Sequence, residues 1–204
     1  MNVKDAFKSN LQASIEASRS LIQDEMFMNQ FEEVAQLIIH KYRLGGRLYI
    51  AGNGGSAADA QHLAAEFVSK LAKDRDPLPA EALTVDSSIL TAIANDYGYN
   101  KVFSRQLMAK AKSNDVFLAI STSGQSENII EALKVCLVKG IPSILLSGHQ
   151  GGEAKHFANY NLIVPGKFTS TIQEMHIMVY HTLCECVEKA MFFENIEERE
   201  TTLI

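Results

Sequence analysis

The sequence lacks any run of basic residues. Lys and Arg number 19 against 24 Asp and Glu, a formal net charge of −5. Such a chain is poorly suited to holding nucleic acid through its phosphates, and it offers no polybasic patch to an anionic membrane. Long apolar runs are also missing. The longest, Val116 to Ile120 and Ile141 to Leu146, are far too short to span a bilayer. No secretory leader is legible, because charges interrupt the apolar residues of the N-terminus every few positions. Cysteine is scarce and odd in number, at three. That excludes a closed disulfide framework, and Cys184-x-Cys186 has neither redox nor zinc-pair spacing. The expected setting is a reducing cytoplasm, with the cysteines as small apolar fillers. There is no internal repeat.

What is present is one domain's worth of core: 204 residues, 47% of them hydrophobic. Two helices are expected first, over about Val3–Leu21 and Asp24–Tyr42, the second ended by Gly45-Gly46. Five short apolar runs follow: 47–51, 82–85, 115–120, 142–146 and 161–164. Helices are expected at 57–72, at 87–95, up to Lys139, and at 169–192. Short apolar strands alternating with helices imply α/β architecture, a doubly wound parallel sheet covered on both faces. The expected organisation is an N-terminal helical pair over 1–45, an α/β domain over 46–193, and a loose charged tail over 194–204. In such sheets ligands sit at the carboxyl ends of the strands, at a switch point.

Two of those ends carry unusual loops. Gly52-Asn53-Gly54-Gly55-Ser56-Ala57 lets backbone approach a ligand and opens a helix whose free N–H groups suit an anion. Its match to a dinucleotide fingerprint is short. The acidic residue that should follow about 20 positions on is missing, Asp86 being too distant. A nucleotide cofactor is therefore not expected. A plain tight turn is the other reading. Ser121-Thr122-Ser123-Gly124-Gln125-Ser126 places four hydroxyls between a strand and a helix. It has no Gly-Lys-Ser/Thr of a nucleotide loop. A helix cap needs one hydroxyl, so a phosphate cradle explains the other three.

Polar side chains recur on two helices. His62 and Glu66 are four apart and share a helix face, which suits a metal or an acid–base pair, or an ordinary solvated contact. On the last helix Gln173, Glu174 and His181 lie towards one side and His176 away from it. Asn95-Asp96 lies near the same sheet edge by connectivity, or is a helix stop before Tyr97-Gly98.

The stretches 52–66, 90–96 and 119–126, with Ile172-Gln-Glu-Met-His176 and His181, resemble the sugar isomerase (SIS) domain superfamily and, within it, the phosphoheptose isomerases. The resemblance runs from the second helix to His181. It implies a flavodoxin-like five-stranded sheet. It implies an aldose–ketose isomerase that converts sedoheptulose 7-phosphate to D-glycero-D-manno-heptose 7-phosphate through an enediolate. It implies substrate contacts from Asn53, Gly54, Gly55, Ser56, Glu66, Asn95, Asp96, Ser121, Thr122, Ser123, Ser126 and Gln173. Glu66 would be the base, His181 its acid–base partner, and His62, Glu66, Gln173 and His181 the ligands of a zinc ion. Where the family often has arginine this chain has Lys70 and Thr171. A non-catalytic relative that binds the replication initiator shares the two loops, so Glu66 and His181 are what favour the enzyme.

Assembly is also expected. Phe27, Met28, Phe31, Val34, Ile38 and Ile39 would leave an apolar patch on a monomer. The resemblance favours a homotetramer with active sites between subunits, the Glu66 and His181 helices coming from different chains.

Overall fold

The computed structural model describes residues 2–193, so the expected tail at 194–204 lies outside the described residues. Two helices come first, α1 (Val3–Ile22) and α2 (Glu25–Arg43). Asp24 caps α2 by accepting from the Phe27 N–H at 3.0 Å. Then β1 (Leu48–Gly52), α3 (Gly55–Val68), β2 (Ala80–Ala82), α4 (Ser87–Tyr97), α5 (Ser104–Lys110), β3 (Val116–Ser121), α6 (Glu127–Lys139), β4 (Ser143–Ser147), β5 (Tyr160–Ile163) and α7 (Thr169–Phe192) follow in order.

All five strands are parallel, in the order β2-β1-β3-β4-β5. Side chains alternate between two apolar clusters with the period of a strand. Leu48, Ile50, Leu118 and Ile120 join α1, α2, α3 and α7 on one face. Tyr49, Ala51, Phe117 and Ala119 join α5 and α6 on the other. The helix after β1 and the helix after β3 therefore leave towards opposite faces. The switch point lies between these two adjacent strands, and both unusual loops sit there.

Three expectations need correction. β2 is the three residues Ala80–Ala82 rather than 82–85: as an edge strand it has only β1 to pair with, and Leu83 turns its side chain into the second cluster. α3 ends at Val68 rather than residue 72. The buried Arg75 guanidinium takes the carbonyls of Glu66, Phe67 and Ser69, and also binds the buried Glu188 carboxylate at 3.0 Å. Burial pushes Glu188 up, but the Lys73 and Leu71 N–H groups and Arg75 outweigh it and hold the carboxyl below its usual value. Removing either partner of such a buried pair typically costs about 3–5 kcal/mol.

The third correction concerns the apolar patch. Of the six expected patch residues on α2, Phe27, Val34, Ile38 and Ile39 are buried within the chain, packed into the cluster that includes α7 and β5, Phe31 is half-buried against it, and Met28 is 39% exposed. The exposed stripe lies on α1 instead, where Val3 and Phe7 are 75% and 65% exposed and Leu11 and Ile15 nearly half. Among the described residues no cysteine is in a disulfide. Among the described residues no helix is long and apolar enough to cross a membrane.

Candidate active site

The glycine loop closes β1 and begins α3. Gly54 adopts φ +55°, a conformation that glycine tolerates best, and no side chain caps the helix after it. Ser56 is buried on the first turn. The Asn53 amide is committed internally. It exchanges two 2.8 Å hydrogen bonds with the Asn128 amide and accepts from the Tyr99 hydroxyl at 3.2 Å. Asn128 opens α6, so this amide pair ties the glycine loop to the serine loop.

In the serine loop, Gly124 adopts φ +64°, and a β-carbon there would collide with the backbone of Gly151. Ser123 accepts from the Gln125 N–H at 3.2 Å, the short-range role a turn serine plays. Ser126 occupies the capping position of α6 but its hydroxyl caps nothing. It lies 3.4 Å from the Ser121 hydroxyl, which itself accepts from the Gly124 N–H at 3.1 Å. Two helix N-termini, neither closed by a side chain, thus meet beside uncommitted hydroxyl capacity. That is the arrangement expected of an anion cradle.

Asn95 and Asp96 form the last turn of α4, exposed, with Asn95 donating to Asp96 at 2.8 Å. Among the described residues neither hydrogen-bonds to either loop. α4 ends at Gly98, as a helix stop should.

The histidine–carboxylate group lies where α3 and α7 pack together. Glu66 Oε1 is 3.1 Å from His62 Nε2, and His181 Nε2 is 3.4 Å from that same nitrogen. One ligating atom from each of the three residues falls within 4.8 Å of the others. This corrects one expectation: the Glu66 and His181 helices need not come from different subunits, because a single chain brings them together. The two helices run in the same direction, since the Gln173 amide lies over Gly55 while Tyr180 and His181 reach His62. Gln173 is therefore two turns back from His181, at the glycine-loop end, which corrects its expected place among the zinc ligands: His62, Glu66 and His181 come together without it.

Glu174 turns instead to α1, where it accepts from the Ser14 hydroxyl. His176 is fully buried and faces away, as expected. Neither ring nitrogen has a hydrogen-bond partner of normal geometry. Burial pushes it down to about 4, opposed only weakly by the nearby Ser147 backbone. Thr171 is buried in the first turn of α7, and Lys70 is exposed beside Asp74.

Sequence reasoning missed four residues that shape this region. Asn128 and Tyr99 hold Asn53, and Tyr180 and Asp59 sit behind His62. Tyr180 is fully buried, and its hydroxyl is 3.0 Å from His62 Nδ1. Burial, then the nearby Asp59 and Glu66 carboxylates, raise its phenol above the usual value.

A flavodoxin-like sheet whose switch point carries an open serine loop and a glycine loop defines a class. The SIS domain family matches residues 11–148, and the chain belongs to it. The nearer relatives are narrower in kind. Phosphoheptose isomerase of Clostridium acetobutylicum is 45% identical over 96% of this chain and 100% of its own length. That of Aneurinibacillus thermoaerophilus is 49% identical over 93% and 96%. The solved phosphoheptose isomerase of Francisella tularensis superposes with a TM-score of 0.87 at 32% identity, covering 93% of this chain and 100% of that one. That of Neisseria gonorrhoeae gives 0.80 at 38%, covering 92% and 97%. Within the SIS domain proteins, the chain belongs to the phosphoheptose isomerases.

Proposed function

We propose that this chain is an aldose–ketose isomerase acting on sedoheptulose 7-phosphate. The observation that carries the reading is the convergence of Glu66, His62 and His181 within 4.8 Å, on α7 and on the helix α3 that the glycine loop opens. Shifting a carbonyl from C2 to C1 requires a proton to leave C1 and another to reach C2. A carboxylate held near that carbon can take the first. The enediolate oxygens then need a donor or positive partner, and His181 stands beside Glu66 to serve. Ser121, Thr122, Ser123 and Ser126, with the N–H groups of Gly54 and Gly55, hold the phosphate and so fix the reacting end. Gln173, lying at the glycine loop, serves the substrate there. The Asn53 amide, already bonded on both sides, acts by holding the two loops together.

Two imidazoles and a carboxylate with room for a fourth ligand fit catalytic zinc. Bound there by His62, Glu66 and His181, zinc would polarise the substrate oxygens. Pure protein given sedoheptulose 7-phosphate should form the aldose product. Chelation should abolish most of that turnover, and added zinc should restore it. Absence of product sinks the reading, and unchanged turnover after verified metal removal sinks the zinc.

The Ser121→Ala, Ser126→Ala double variant should raise KM for the phosphorylated sugar. A hydrogen bond to a charged group is worth about 1.5–3 kcal/mol, so about ten- to a hundredfold per hydroxyl is expected. An unchanged KM would return these serines to turn formation alone.

The exposed α1 stripe supports self-association of the N-terminal helices, in a closed homo-oligomer such as a tetramer. Spacing supports a shared site. Glu66 lies three turns beyond Gly55, about 16 Å along α3, which is long for one heptose phosphate to bridge. We assign the Glu66–His181 pair to one subunit and the phosphate loops serving it to a neighbour.

A further inference from the structure

α3 and α7 lie side by side and meet at three levels. At the glycine loop the Gln173 amide covers Gly55. In the middle Tyr180 and His181 reach His62. This parallel register brings Glu188 level with the residues just past Val68, where α3 ends. The last carbonyls of a helix have no partner within it. Arg75, returning on the loop after α3, takes them. Its Nη2 donates to the Glu66 carbonyl at 2.8 Å, and its Nη1 to those of Phe67 and Ser69 at 2.7 and 3.1 Å. Its Nε donates to Glu188 Oε2 at 3.0 Å. The Glu188 carboxylate also accepts from the Leu71 and Lys73 N–H groups at 3.3 and 3.1 Å. The two side chains are 1% and 3% exposed.

Stability alone is a poor account of this arrangement. Removing two charges from water offsets most of what their attraction returns, and an apolar pair of similar volume often serves as well. What a buried, hydrogen-bonded ion pair adds is direction. The guanidinium is a planar fork with its donors in fixed positions. Here Nη1 and Nη2 are fixed on the backbone of α3 and Nε on a side chain of α7. A path of two hydrogen bonds therefore runs from the Glu66 backbone through Arg75 to Glu188. His181 lies seven residues before Glu188, close to two helical turns, so both project from the same face of α7.

We propose that Arg75 and Glu188 are a positioning pair that fixes the distance between the Glu66 and His181 side chains by tying the end of α3 to α7. This rests on the proposed reaction for its effect on rate and goes beyond it, since it concerns what holds the two helices in register.

The test uses the full chain. Arg75→Lys keeps a charge for Glu188 but replaces the fork by one ammonium, which cannot hold Glu188 and three carbonyls together. α3 should then part from α7 at its far end only, because Gly55 and Gln173 meet at the other. A misplacement of about 1 Å can cost about a hundredfold. The kcat should fall by about that factor, while KM for sedoheptulose 7-phosphate and binding of inorganic phosphate stay near wild type. Circular dichroism sets the assay at a temperature where the variant is folded. Glu188→Gln should behave alike, and the double variant should be no slower than the slower single one. A pair that only stabilises would lower Tm and leave the kcat of folded protein unchanged. That result overturns the proposal, and so do losses that multiply in the double variant. Hydrogen exchange gives a second readout. In wild type the Leu71 and Lys73 amides should be protected although they lie in a loop. Arg75→Lys should speed exchange at the Ser69 N–H, which donates to the Ala65 carbonyl at 2.8 Å, and leave the β3 amides unchanged. Unprotected Leu71 and Lys73 amides in wild type overturn the proposal, and if the variants fail to fold these two amides decide. Exchange involves no substrate, so protected wild-type amides and a loosened Ser69 in a protein without isomerase turnover would sink the proposed reaction and leave the tie between the helices standing.

Discussion

Glu66→Gln is expected to abolish turnover while the fold and phosphate binding survive. Glutamine keeps the shape of the side chain and loses the base. Removing a general base usually costs about 10²–10⁴ in rate, so kcat should fall by at least two orders of magnitude. The fold should hold because Arg75 grips the Glu66 backbone carbonyl, at 2.8 Å, and not its carboxylate. The glycine loop lies three turns away along α3, with the serine loop tied to it through the Asn53–Asn128 amide pair, and both are untouched. Circular dichroism and inorganic phosphate binding check the first part, and single-turnover product formation checks the second. A residual rate within about tenfold of wild type, a barrier change of only about 1.4 kcal/mol, would remove Glu66 from the role of base.

Most of the fold was legible because its signals are local. The apolar runs of β1, β3 and β4 are buried on both faces and stand out from the helices around them. α7 begins and ends where its residues suggest, at Thr169 and Phe192. The failures have non-local causes. α3 is stopped by Arg75, whose partner Glu188 lies on α7, far away in sequence. β2 is set by where its pairing with β1 runs out. α5 is seven residues long, too short for its period to show against the surrounding chain, and it was not expected at all.

The site divides in the same way. His62 and Glu66 are four apart on one helix, so their contact could be read from spacing alone. The serine loop was legible through its surplus of hydroxyls. That α3 and α7 meet within one chain was not legible, because it depends on packing between helices more than 100 residues apart. Tyr180 reads in the sequence as one more apolar position of α7, and nothing in its neighbours marks the hydroxyl. Asn128 likewise reads as an ordinary first-turn residue until the Asn53 amide is seen against it.

Mixing inactive subunits should separate two kinds of pairing. His181→Ala is expected to cost orders of magnitude in rate, as Glu66→Gln does, because it removes the group beside the base. If both belong to one chain, as the 4.8 Å cluster indicates, co-assembly of Glu66→Gln and His181→Ala subunits creates no intact pair. Activity should stay at the level of the separate variants. The outcome changes when Glu66→Gln subunits are mixed with the Ser121→Ala, Ser126→Ala variant. A site taking its acid–base pair from one chain and its phosphate loop from another is then intact in about one quarter of random equal mixtures, by the combinatorics of a closed symmetric assembly. Assayed at substrate levels well below the raised KM, where the cradle variant alone is nearly silent, that mixture should recover about a quarter of wild-type activity. Recovery in the first mixture would return the pair to different subunits. No recovery in either would confine the whole site to a single chain, with the bound sugar phosphate reaching along α3 from loop to base.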